Sequence, residues 1–156
     1  MTGLSASLRL LTSALAMSLG PAPAWAQSAP APAPNPVPGP AQGPVLSLEL
    51  NAAQPSDKGC RLTFVVSNAL GADLSKAAFE IALFDEAGVV DRLTVLDFKD
   101  LPAGKTKVTR FDLAGADCGK LSRVLINSAT ECGGVEPAAC MRALKTSTRT
   151  SIAFGV

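Results

Sequence analysis

The sequence predicts an all-β domain built as a two-sheet antiparallel sandwich of about seven strands. Three observations predict it. Short runs rich in β-branched and aromatic residues recur roughly every 10 to 15 residues, turn signals separate them, and no segment sustains a capped amphipathic helical pattern. Runs of that number and spacing suit two packed sheets.

In order, the runs are LSLEL (46–50), CRLTFVV (60–66), FEIALFD (79–85), VVDRLTVLDF (89–98), KTKVTRFDL (105–113), LSRVLIN (121–127) and LKTSTRTSIAF (144–154). In the second, Cys60, Leu62, Phe64 and Val66 share one face and Arg61 and Thr63 the other, as a half-buried strand requires. In the third, Phe79, Ile81 and Leu83 point inward and Glu80 outward. Asp85-Glu86-Ala87-Gly88 then closes a hairpin, with Gly88 free to take a positive φ. Leu101-Pro102-Ala103-Gly104 is a second turn. Leu74, Ala77, Ala78 and Ile81 stand at helical spacing, but the aromatic and β-branched ending of that stretch favours a strand from Phe79, with a helical turn over 74–77 left open. The last run sets Lys145, Ser147, Arg149 and Ser151 against Thr146, Thr148, Thr150 and Ile152. It reads either as an edge strand blunted by charge or as a docking edge to which a partner adds a strand.

The N-terminal segment sets the compartment. Arg9, the apolar run LLTSALAMSLG and the A-x-A pair Ala24 and Ala26 form a signal peptide over 1–26, with cleavage after Ala26. The run is about 11 residues, short of the roughly 18 that cross a bilayer, so no membrane span is expected in the mature chain. A lone arginine points to the general secretory route, and no cysteine follows the cleavage site to carry a lipid. Residues 27–44 are a proline- and alanine-rich linker, read as a disordered leader, a tether or a ligand for a proline-binding groove. The domain proper is 45–156, and its location is periplasmic or secreted. Without Arg9 the basic and acidic residues balance, so nothing predicts nucleic acid or an anionic membrane as partner.

The stretch from Cys60 to Leu113, with VVSN (65–68), IALFDEAG (81–88) and LPAGKT (101–106), resembles the immunoglobulin-like modules of bacterial envelope proteins known by an F-x-L-Y-D signature. Ile81 and Phe84 stand where that family has Phe and Tyr. The order of parts also matches: a strand ending in Asn, a strand ending in a D-x-x-G hairpin, then a proline-glycine turn into another strand. The resemblance covers about half of the mature domain, implies an immunoglobulin-like sandwich and brings no active site. Beyond Cys118 it does not extend.

Four cysteines in an exported chain are most simply two disulfides, with three possible connectivities. Successive antiparallel strands put Cys60 at the same end of the sandwich as Cys118, and Cys132 and Cys140 at the other. The sixth strand and its exit span roughly 33 Å, against the roughly 7 Å between bridged α-carbons, so Cys60 pairs with Cys118 and Cys132 with Cys140. A redox pair at Cys132 and Cys140 is the alternative. It lacks C-x-x-C spacing, and no helix start is evident beside it. A zinc site would have to gather all four sulfurs from opposite ends.

With no histidine, no Ser-His-Asp or Cys-His arrangement can form. AGKT (103–106) lacks the first glycine of a phosphate-binding loop, Lys99 standing in its place. Asp85, Glu86 and Asp91 lack calcium-loop spacing. Asp97 with Asp100, and Ser75 with Lys76, read as surface residues. No cofactor and no metal are expected. The function expected is that of an exported non-catalytic envelope module that binds another protein or stabilises an envelope assembly. A thiol/disulfide redox protein and a small-ligand-binding sandwich are the alternatives.

Overall fold

A computed structural model describes residues 43–156. The expected signal peptide (1–26) and all but the last two residues of the expected linker lie outside the described residues. Eight strands form: β1 (Val45–Ser56), β2 (Gly59–Ala69), β3 (Lys76–Asp85), β4 (Val90–Asp97), β5 (Thr106–Ala114), β6 (Leu121–Gly133), β7 (Leu144–Thr148) and β8 (Ala153–Gly155). One helix, α1 (Pro137–Ala143), lies between β6 and β7, and a 3-10 turn over Cys118–Lys120 precedes β6.

The first sheet has the order β5-β2-β1-β7 and the second β4-β3-β6-β8. The chain crosses between sheets after β2, β4, β5, β6 and β7; as far as β6 this is the path of an immunoglobulin-like sandwich with its fourth strand on the second sheet. Two pairings depart from the expected antiparallel scheme: β7 runs parallel to β1, starting from Leu46 opposite Leu144, and β8 runs parallel to β6. Between β6 and β8 the chain passes through α1 and β7, a connection long enough for the crossover that a parallel pair needs. The seventh run is therefore two strands, one at the edge of each sheet, and β1 is internal.

The break between β7 and β8 has a local chemical origin. The Thr148 hydroxyl accepts from the Thr150 N–H (3.0 Å), and the Thr150 hydroxyl accepts from the Ile152 N–H (3.1 Å). These two side-chain turns replace ladder hydrogen bonds and bend the chain from one sheet to the other. Ile152 is buried at the crossing. The helical turn left open over 74–77 does not form. Leu74 instead exchanges both backbone hydrogen bonds with Leu101 (3.0 and 2.8 Å), and β3 begins at Lys76.

Between the sheets, Leu46, Leu48 and Leu50 of β1, Leu62, Phe64 and Val66 of β2, and Phe79, Ile81 and Leu83 of β3 are buried. Phe98 contacts Phe64, Phe79 and Phe111 at 5.5, 6.0 and 5.0 Å between ring centroids, all edge to face, and Phe154 closes on Phe64 at 5.5 Å. Each such pair contributes about 0.5 to 1.5 kcal/mol beyond its area. One polar side chain joins this core: Asn68, at the end of β2, is fully buried. Its amide donates to the carbonyls of Ala72 (2.9 Å) and Leu101 (2.7 Å), and its oxygen accepts from the Leu70 N–H (3.0 Å). It ties the β2–β3 connection to the turn that leads into β5.

Candidate interaction surfaces

The four cysteine sulfurs form two disulfides. Cys60 is joined to Cys118 with α-carbons 5.0 Å apart, and Cys132 to Cys140 at 6.6 Å. No cysteine is free. Cys60, Cys132 and Cys140 are buried. One expectation needs correcting: a helix does start beside the second pair, with Pro137 in its first turn and Cys140 inside it. Proline fixes φ at a helical value where its missing N–H costs nothing, so a segment that reads as loop can begin a helix. Gly134, at φ 114°, makes the turn that precedes it, and a Cβ there would meet the carbonyl oxygen of Asp73.

The candidate edge of Lys145, Ser147, Arg149 and Ser151 is divided. Lys145 and Ser147 lie on β7, exposed, beside Ser47 and Glu49. Arg149 and Ser151 lie beyond the strand, in the bend before β8. The Arg149 guanidinium donates to the Glu49 carboxylate at 2.8 Å. Asn51 first and Arg149 second hold the Glu49 carboxyl below its ordinary value.

The remaining candidates are occupied locally. The Asp85 carboxylate accepts from the N–H groups of Ala87 and Val89 (2.9 and 2.8 Å) and so caps its hairpin, where Gly88 sits at φ 77°. Asp91 pairs with Arg92, Asp97 with Lys99, Asp100 with Lys107, and Lys76 with Glu131. Among the described residues no group of three or more potential ligands could hold a metal ion. AGKT forms the end of a turn, Gly104 at φ 69°, and enters β5.

The two sheets differ on their outward faces, and sequence reading did not find this. On the first sheet the outward rows are mostly polar: Thr106, Ser67, Ser47 and Lys145 stand side by side, the next row sets Val108 and Val65 beside Glu49 and Ser147, and Arg61 bridges Asp112 with two hydrogen bonds of 2.8 and 3.0 Å. On the second sheet register aligns Leu93, Ala82, Leu125 and Gly155 in one row across β4, β3, β6 and β8. The next row toward the Asp85 hairpin holds Val90, Phe84, Arg123 and Ala153; the row on the other side holds Val95, Glu80 and Ser128. Leu93 is 56% exposed and Val95 51%. A signal was present in VVDRLTVLDF, whose apolar residues fall on both strand faces, as in a strand covered on both sides.

Two depressions lie at the ends of the sandwich. One of ≈ 370 Å³ is lined by Pro44, Leu70, Val135, Ala139, Arg142 and Ala143. One of ≈ 300 Å³ lies between the Asp85 hairpin and the 3-10 turn. The space between the sheets, where a ligand-binding sandwich would hold its ligand, carries the phenylalanine cluster.

No protein-family model matches the chain, and no curated protein matches it. Among solved structures, the trimeric lipoprotein SadB of Salmonella enterica matches at 20% sequence identity and a TM-score of 0.39. The match covers 45% of this chain and 40% of that one.

Proposed function

We propose that this chain is an exported, non-catalytic envelope module of the F-x-L-Y-D type that acts by binding another protein. The observation that carries this reading is the exposed apolar face of the second sheet. Apolar surface continuous across one side of a sandwich whose other side is mostly polar marks an interaction site. Two disulfides support a location outside the cytoplasm, where such bonds persist. Among the described residues no helix is long and apolar enough to cross a membrane.

The redox alternative through Cys132 and Cys140 is disfavoured by the burial of both residues. A redox thiolate must be reachable to attack a disulfide. The β7 edge remains a second reading, favoured by its position at the rim of the first sheet and by the exposed Lys145 and Ser147.

The test is a photo-reactive amino acid placed in turn at Leu93, Lys145, Ser147 and Arg110, followed by irradiation of intact cells. Cross-linked product from Leu93 and none from Arg110 is expected. Product from Lys145 or Ser147 alone would move the working surface to β7, and no product from any position would refute the binding reading.

A further inference from the structure

We propose that the outward face of the second sheet is a self-complementary surface on which a second copy of this chain packs face to face. This deepens the binding reading above, and rests on it, by naming the partner. The row Leu93–Ala82–Leu125–Gly155 is apolar from one edge of the sheet to the other. Val90, Val95 and Phe84 extend it above and below, and Val90, like Leu93 and Val95, is an exposed large hydrophobic.

Charge identifies the occupant. Glu80 lies one row to one side of Ala82 on β3, and Arg123 lies one row to the other side of Leu125 on β6. Among the described residues neither forms an ion pair: Glu80 accepts from the Asn127 amide (2.5 Å), and the Arg123 guanidinium sits over the Phe84 ring at 5.6 Å. A twofold axis lying in the plane of the interface, passing between Ala82 and Leu125 and perpendicular to the line joining Glu80 to Arg123, sets Glu80 of one copy against Arg123 of the other. The same operation sets Arg123 against Glu80, so both charges are met at once. One charge of each sign placed symmetrically about the centre makes the patch self-complementary, as an isologous interface is.

The face is small. Strands about 4.8 Å apart and rows about 6.8 Å apart give four strands and three rows a flat footprint of roughly 390 Å². A standard interface takes about 800 Å² of accessible surface from each partner, so this face belongs to the small class of weak, reversible contacts.

Sedimentation velocity of the exported full chain from 1 to 500 µM tests this. The expected result is a concentration-dependent shift to a species of twice the chain mass. L93E and V95E, both at exposed positions, should abolish it while leaving the melting temperature in place. E80R and R123E should each weaken it at least fivefold, and the double variant E80R/R123E should recover to within threefold of the parent. A monomer at every concentration overturns the proposal, as does a dimer indifferent to L93E and V95E, or a double variant that fails to recover. If the chain is monomeric and cross-linking from Leu93 still captures a different protein, the second copy is wrong and the binding reading stands. If neither experiment finds a partner, both fall.

Discussion

Asn68 shows how much a single buried amide can hold. Three hydrogen bonds from one side chain satisfy two carbonyls and one N–H at the junction of β2, its exit loop and the Leu101 turn. Asn68→Ala leaves the part-buried Ala72 carbonyl and Leu70 N–H without this partner and the Leu101 carbonyl with the Leu74 N–H alone, at a cost of about 1 to 3 kcal/mol for each buried group left unsatisfied. We expect Asn68→Ala to lower the unfolding free energy by about 2 to 4 kcal/mol in urea titration; a loss under about 0.5 kcal/mol would contradict the assignment. The sequence places this residue at the end of a strand but gives no sign of its role. The partners Ala72 and Leu101 lie 4 and 33 positions away, and only the folded chain brings the second one near. The ion pairs are different in kind. Arg61 with Asp112 and Lys76 with Glu131 cross between neighbouring strands at the surface, where pairs of this sort stabilise little.

At the scale of elements, the two disulfides brace opposite ends of the sandwich. In the chain-entropy account the 58-residue separation contributes roughly 4 kcal/mol and the 8-residue one roughly 2.5. Replacing Cys60 and Cys118 together by alanine should therefore cost more stability than replacing Cys132 and Cys140, in denaturant titrations of the two double variants. The reverse order would contradict this view of their roles. Strand direction alone is enough to assign both pairs, because the ends of a sandwich are too far apart for any other connection. The last third of the chain is less legible. In LKTSTRTSIAF, threonine carries a high strand propensity, yet its hydroxyl can also accept a local N–H, and at Thr148 and Thr150 the local bond prevails. In ECGGVEPAAC, the glycines and the proline read as loop, while Pro137 at the first helical position begins α1.

At the scale of the whole molecule, the sandwich follows from alternation within β2 and β3, because each of those strands carries its own inward face. The outward apolar row could not be read in the same way. Its members Ala82, Leu93, Leu125 and Gly155 come from four strands, one residue from each, and only register sets them side by side. One sheet is then mostly polar outside and the other carries a continuous apolar row flanked by Val90 and Val95, which separates a solvated side from a contacting side. Hydroxyl-radical footprinting of the protein in the intact envelope, against the purified chain at low concentration, tests that division most directly. Val108, on the polar sheet and 60% exposed, is the internal reference. The account predicts that Leu93 and Val95 are protected several-fold in the envelope while Val108 is labelled equally in both states. Equal labelling of Leu93 and Val95 in the two states would contradict it.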